Sequence, residues 1–408
     1  MMILCSAISF DSGLPAWMFH CQTPPPDYAF HPEVRGLTWV DMVFPLFIFA
    51  LGAALPFSLK SRKKGEAVLF LVRRFVVLVA FSLALGHADA LRSTACPPVL
   101  GGFLRLGIWL LMFCALVRTE RWKWLNPLGW ALLAGAFVAL HFCYDLPFKW
   151  AQNDCIIMLL AWAVLMGGLI CLFTLEKPRL RALALLIVVA ARLLGFEFTQ
   201  YLIIVLPATI ASDAIRGAIP WAGPRDGKAP LAGGVVALAA ALVQLWGLFT
   251  RQVRADLAIT CALLCLFLLL VYKHKSAASH IGLMGFLLLL AGIVCDFHDG
   301  GLAKDYCNLS YLLVTGGMSC LLLHFLMCIE QRHPLSRNLV LCGQNPMIAY
   351  TIAWYVVCPL LALCGVTGWF DPLCAGHPWL GLLRGVVITL LAVAATCAFT
   401  RRRIFWKS

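Results

Sequence analysis

The sequence predicts an all-α fold, a polytopic transmembrane helical bundle, and three observations carry that prediction. Of 408 residues, 62% are hydrophobic and only 12% charged, with a mean hydropathy of +0.89; soluble domains run at roughly 45–50% apolar and 25% charged. The apolar residues come in continuous runs of about twenty, the helix length that crosses roughly 30 Å of hydrocarbon, and not in the alternating ten-residue pattern of barrel strands. The basic residues fall between these runs, on alternate loops, as the positive-inside rule requires. Helices satisfy their own backbone groups where no water is available, so they are the spanning element.

Taken in order, the chain begins with "MMILCSAIS", apolar but too short to cross a bilayer at 1.5 Å per residue. Residues 1–9 read as the end of a first span whose start lies outside this chain. A signal-peptide core is the alternative, though a basic leader is missing. Residues 10–38 then form an extracytoplasmic loop, stiffened by Pro24, Pro25 and Pro26. Spans follow near 39–59, 67–86, 102–117, 127–144, 155–173, 182–218, 230–249, 257–272, 280–294, 309–329, 339–364 and 381–400, about twelve in all. The stretch 182–218 is read as two short helices, because only then do the Lys60–Lys64 loop and the C-terminal arginines share the inner side. Residues 39–400 thus form one helical bundle, 401–408 a cytoplasmic tail, and 1–408 a single integral membrane domain.

The net charge of +13 raises nucleic acid as a partner, and the placement of the charges argues against it. Lys60, Arg62, Lys63 and Lys64; Arg118, Arg121 and Lys123; Lys177, Arg179 and Arg181; Lys273 and Lys275; Arg332 and Arg337; Arg401, Arg402, Arg403 and Lys407 all sit between apolar runs. The expected partner is the lipid bilayer, and a homo-oligomer is left open. Most of the eighteen cysteines lie inside apolar runs, where a thiol packs as a small hydrophobe. Cys295 and Cys307 share one outer loop and are the pair placed for a disulfide.

The outer loops are rich in Gly, Pro, Asp and His, so chemistry is expected there. Asp41 opens a span that carries no further charge for fifteen residues. A carboxylate there is costly unless partnered; it is read either as the orienting partner of a histidine or as a helix N-terminal charge. Pro45 and Pro56 would bend the same span around a cavity. "CDFHDGGLAKDYCN" gathers Asp296, His298, Asp299, Lys304 and Asp305, a set suited to sugar hydroxyls or an amine. Without a His-x-x-x-His or Cys-x-x-Cys spacing, no metal is expected. Gln344 and Asn345 in "GQNPMIAY" supply amides for a buried ligand or for helix pairing. Arg192 and Glu197 are placed to pair with each other, or Arg192 to meet a phosphate.

"LPAWMFH", "GLTWVDMVFPLFIFALGAALPF", "DGGLAKDYCNLSYLLVTGG" and "GQNPMIAY" together resemble the bacterial membrane proteins of the domain-of-unknown-function 5009 group, related to the transmembrane enzyme heparan-α-glucosaminide N-acetyltransferase. The resemblance is concentrated in residues 14–60 and 296–352. It implies a bacterial inner-membrane acyltransferase that moves acetyl from acetyl-CoA, or another acyl group, to an amino sugar or glycan acceptor outside the bilayer, through a loop histidine. The histidine of the family motif lies five residues before Gly-Leu-Thr, which is His31 here, while its aromatic context belongs to His20. "CQTPPPDYAF" reads as an insertion between the two, and both stay candidates. Arg35 stands where the transferase has asparagine. Neutral imidazole near pKa 6.5 suits attack on a thioester or removal of an amine proton. The same resemblance makes Lys60, Arg62, Lys63, Lys64, Arg73 and Arg74 the candidates for the coenzyme phosphates. The alternative function is a transporter or flippase for a small solute or a lipid-linked sugar.

Overall fold

The computed structural model describes residues 2–8, 14–90, 98–118, 122–144, 148–197, 200–219, 230–274, 276–374 and 377–406. Arg121, Lys275, Lys407 and parts of the loops after His87 and Tyr144 lie outside the described residues. The helices in chain order are α1 Met2–Ala7, α2 Val43–Leu59, α3 Lys64–Ala90, α4 Pro98–Leu116, α5 Leu125–Tyr144, α6 Cys155–Phe173, α7 Pro178–Leu193, α8 Leu202–Ile215, α9 Leu231–Gly247, α10 Val253–Val271, α11 Ala277–His298, α12 Leu309–Glu330, α13 Arg337–Gly343 and α14 Pro346–Ile352. A π-helical turn, Ala353–Val357, continues α14 into α15, Cys358–Leu363; α16, Val366–Cys374, and α17, Pro378–Arg401, complete the fold. No strand occurs among the described residues beyond one isolated bridge, Val117 to Trp406. Nine helical stretches among them are long and apolar enough to cross a membrane, and α2, α8 and α9 are shorter apolar helices. The chain is an all-α, integral multi-pass membrane protein.

Two details differ from the sequence reading. The span expected from 39 starts at Val43, because residues 39–42 are turns that carry Asp41 outside the helix. The span expected over 339–364 is broken: α13 ends at Gly343, and Pro346 forces Asn345 into a non-helical conformation (φ −133°, ψ 57°) before α14 begins. The stretch 182–218 is indeed two helices, α7 and α8, with Gly195 at φ +88° in the turn after α7.

The chain divides into two compact units, residues 1–14, 76–161 and 335–408, and residues 15–75 and 162–334. In the first, Trp109 Nε1 donates to Thr351 Oγ1 at 3.0 Å, and Trp109, Phe113, Phe399 and Trp406 form an aromatic cluster. Tyr350 donates to Asp154 Oδ2 at 2.7 Å, and Ser82 donates to the Asp154 carbonyl at 2.7 Å.

In the second unit, small residues let helices approach closely, which matters in lipid because apolar surface gains nothing by leaving lipid for protein. α2 lies parallel to α8, with Phe44 against Tyr201 at one end and Ser212 donating to the Ala53 carbonyl further along. A Cβ on Gly52 would come within 2.9 Å of the Val205 carbonyl. α11 and α12 meet the same way, a Cβ on Gly317 falling 2.6 Å from the Leu289 nitrogen. At the end of α8, Arg181 and Arg216 both bind Asp213, at 2.6 and 3.1 Å, and Arg216 also donates to the Pro56 carbonyl. Arg181, expected in a basic loop, is fully buried. A buried carboxylate with two guanidinium partners is compensated, whereas loss of one partner from such a pair costs about 3–5 kcal/mol.

Gly317→Val is therefore expected to force α11 and α12 apart and to cost about 1–3 kcal/mol by overpacking. A thermal scan in detergent checks it: an unchanged midpoint would mean that the close approach contributes nothing.

Candidate functional site

The site lies in the unit of residues 15–75 and 162–334, where the loop before α2 meets the loop between α11 and α12. Local backbone chemistry shapes both loops. Asn308 caps α12 by accepting from the Tyr311 N–H at 3.2 Å, and its side chain also accepts from Ala303 N–H and donates to the Gly301 carbonyl. Gly300 and Gly301 take φ values of +68° and +116°, conformations that favour glycine. The Gly36 N–H donates to the Leu302 carbonyl at 3.0 Å and ties one loop to the other.

Asp41 is the centre of this arrangement, with its side chain 1% exposed. Its Oδ2 accepts from the N–H groups of Thr38 at 3.0 Å and Cys21 at 3.2 Å, and the Thr38 hydroxyl lies 3.0 Å away. Its Oδ1 stands 2.8 Å from His20 Nδ1 and 3.7 Å from the Lys304 ammonium, and Lys304 Nζ is 2.9 Å from the same ring nitrogen. Tyr311 donates to the Asp41 backbone carbonyl at 3.0 Å from inside α12. Burial alone would raise the carboxyl's pKa; the His20 hydrogen bond, the Lys304 charge and the Thr38 N–H outweigh it and hold Asp41 below the ordinary carboxylate range.

In the tautomer with its hydrogen on Nδ1, His20 donates to the Asp41 carboxylate at 2.8 Å and keeps the lone pair on Nε2, whereas in the other tautomer Nδ1 accepts from the Lys304 ammonium at 2.9 Å. Among the described residues Nε2 has no hydrogen-bond partner, and the His20 side chain is 36% exposed. The arrangement is that of an imidazole oriented by a buried acid, with its second nitrogen able to attack or take a proton.

The other candidate is built differently. His31 contacts Asp27 Oδ2 through Nε2 at 3.0 Å and Glu33 Oε1 through Nδ1 at 3.1 Å. The hydrogen bond to Asp27, and then that to Glu33, raise its pKa and favour the doubly protonated ring, which has no lone pair to offer. His31 and Asp41 share no contact among the described residues.

The remaining sequence candidates separate. Lys304 joins His20 and Asp41. Asp296 is buried and spent on structure, held by Arg251 through two bonds of 3.0 and 2.9 Å and accepting from the Leu302 N–H. Asp299 accepts from the Ser310 N–H at the start of α12, while the exposed His298 lies against it at 3.3 Å. Asn345 belongs to the other unit and donates to the Ile404 carbonyl at 2.8 Å; Gln344 is exposed beside it, before α14 and not inside a span. Lys60, Arg62 and Lys63 are exposed in the turn after α2, Lys64 is exposed at the start of α3, and Arg73 is exposed further along α3 with Arg74 half-buried beside it. Lys60, at the far end of the 17-residue α2, stands about 25 Å along that helix from the Asp41 end. Among the described residues Arg192 makes no ion pair with Glu197 and donates instead to the Tyr306 and Cys307 carbonyls. Cys295 and Cys307 are free thiols, Cys307 lying 3.0 Å from the Tyr201 hydroxyl. Cys21, next to the histidine, has its thiol pushed up to about 12 by burial and by the Asp41 charge, so it is not a thiolate at neutral pH.

Sequence reasoning missed Thr38, Tyr311, Arg251 and Asn308 as parts of the site. Thr38 was signalled by its spacing three residues before Asp41. Arg251 carried no local signal, because its partner is 45 residues away.

The family described as Domain of unknown function (DUF5009) matches residues 1–199, which include His20, His31 and Asp41 but not Lys304. No curated protein and no solved structure matches the chain.

The depressed Asp41 pKa carries a sign for stability. Its contribution is present above the unfolded carboxylate pKa near 3.9 and is lost as pH falls through the lower folded value. Asp41→Asn is expected to destabilise at pH 7 by about 3 kcal/mol, since it uncouples a buried charge pair, and to flatten the loss of stability below pH 4. Unfolding midpoints from pH 7 to pH 3 check it, and parallel curves for the two proteins would refute the assignment.

Proposed function

We propose that the protein is a membrane acyltransferase in which His20, oriented by Asp41, transfers acetyl or another acyl group from an acyl-CoA donor to an amino sugar or glycan amine. The observation that carries this reading is the His20–Asp41–Lys304 constellation at the junction of two loops. The match to a family of unknown function is compatible with it, and the resemblance to the transmembrane acetyltransferases supplies the reaction class.

In this reading, His20 Nε2 attacks the thioester carbon, the C–S bond breaks and the thiolate leaves with the electron pair. Asp41 stabilises the ring while it carries positive charge. The acceptor amine then attacks the acyl-imidazole, the C–N bond to the ring breaks, and the amine proton passes to the solvent or to the departing thiolate. Nε2 acting as base toward the amine, with direct transfer, needs the same geometry. Lys304 lies beside Nδ1, on the Asp41 side of the ring, as the counter-charge of Asp41. The exposed Lys60–Lys64 turn offers cations for the donor's phosphates. On this proposal the membrane is the bacterial inner membrane, the basic loops and C-terminus are cytoplasmic, and the His20 loop faces outward.

A second reading, passage of a solute, has one observation in its favour. Gln244 Nε2 donates to Asp256 Oδ1 at 2.9 Å and to Thr260 Oγ1 at 3.0 Å, while Gln244 Oε1 and Asp256 Oδ2 are buried without a hydrogen-bond partner among the described residues. Polar groups of this kind within spans often mark conduction paths.

Purified protein with labelled acetyl-CoA and a glucosamine-ended glycan tests the two. His20→Ala is expected to reduce transfer at least about 100-fold, the scale of a lost acid–base group, with His31→Ala close to the wild type. Undiminished transfer after His20→Ala removes the mechanism. Uptake of an unmodified solute by reconstituted vesicles, without acyl transfer, would select the second reading.

A further inference from the structure

The unit of residues 1–14, 76–161 and 335–408 contains a feature that the acyl-transfer reading does not use. A cavity of about 720 Å³ lies between α3 and α5, within the 300–1,000 Å³ typical of small-molecule sites. Ala84 on α3 and Ala134 and Phe137 on α5 make its walls, and Phe148 lies at one end. His87 also lines it, yet offers no polar edge. Nδ1 donates to the Leu83 carbonyl at 2.8 Å, and Nε2 accepts from the Lys149 N–H at 3.2 Å, so both nitrogens are satisfied within the protein. The ring presents its carbon face and stacks on Phe148 at 5.0 Å.

An apolar cavity of this kind does not hold water well, because water needs two to four polar partners. Its side opening points to the chemistry that fits it. Val138 and Phe142 line the cavity and are also 58% and 80% exposed, so it opens laterally along α5, a helix apolar enough to span a membrane. What lies beside such a helix is lipid hydrocarbon. At the Phe148 end the chemistry changes. Lys149 follows at once and is exposed, and Trp150 is 63% exposed. An aromatic side chain next to a cation is the pattern of the membrane–water interface. Hydrocarbon walls below and a cation with an indole above repeat the layering of an anionic phospholipid.

We propose that this cavity holds one acyl chain of an anionic glycerophospholipid, whose phosphate lies beside Lys149. The proposal needs only that the chain is a membrane protein and stands whether or not it transfers acyl groups.

The test uses the full-length protein in nanodiscs made of equal parts phosphatidylglycerol and phosphatidylcholine, with a diazirine on the acyl chain of one lipid or the other, followed by peptide mapping. Labelling of residues 80–87 and 130–142 is expected to exceed that at Leu269, an exposed position on α10. Phosphatidylglycerol should label these segments about fivefold more than phosphatidylcholine, the worth of one lysine at a membrane surface. Lys149→Ala should erase that preference. Ala134→Phe, which fills the cavity, should remove the labelling there and leave Leu269 unchanged. Labelling no higher than at Leu269, equal labelling by the two lipids in the wild type, or labelling that survives Ala134→Phe would overturn the proposal. If Ala134→Phe does not elute as a folded species, Ala84→Phe and the lipid preference of Lys149→Ala decide the matter.

Discussion

A buried carboxylate has to be compensated, and in this protein that requirement organises the loop region around Asp41. Taking an ionised group out of water is affordable only where donors and a counter-charge surround it. Asp41 has them: two backbone N–H groups, a hydroxyl, an imidazole and an ammonium. The loop before α2 must therefore fold back so that His20 and Cys21 reach Asp41, with the Thr38 hydroxyl also touching the Phe19 carbonyl at 2.8 Å. The position of His20 is a consequence of satisfying Asp41.

The second loop is bound by a similar demand. Lys304 can reach Asp41 only if residues 299–308 hold one shape, and that shape depends on Asp296 and Asn308. Asp296 binds Arg251 with both oxygens and accepts from Leu302, and Asn308 closes the turn from the other side. A carboxylate read from sequence as a ligand for substrate thus also braces the loop. His31 illustrates the converse: two flanking carboxylates draw it toward the cationic form, although it lies five residues before Gly36, Leu37 and Thr38. Spacing along a chain does not determine which partners a side chain meets.

Between the helices the constraint is steric. Apolar side chains gain nothing by leaving lipid for one another, so close contact rests on small residues and hydrogen bonds. Gly52, Gly285, Gly292 and Gly317 provide that contact, and Ser212 and Arg216 add bonds to the carbonyls of α2. The Arg181–Asp213–Arg216 cluster applies at the other end of α2 and α8 the same rule that governs Asp41.

The sequence by itself determined the fold class, the membrane setting and the approximate spans, because continuous apolar runs and basic loops are local signals that need no knowledge of contacts. It also marked the division of 182–218, through the alternation of charge, and the stretches in which the site lies. Only the tertiary structure decided that His20 and not His31 faces Asp41, that Lys304 joins them across 284 residues of chain, and that Asp296 and Asn345 serve structural bonds. The physical reason is the range of the interactions: hydropathy and helix breaking act over a few residues, whereas compensation of a buried charge is arranged by whichever distant loops the packing brings together.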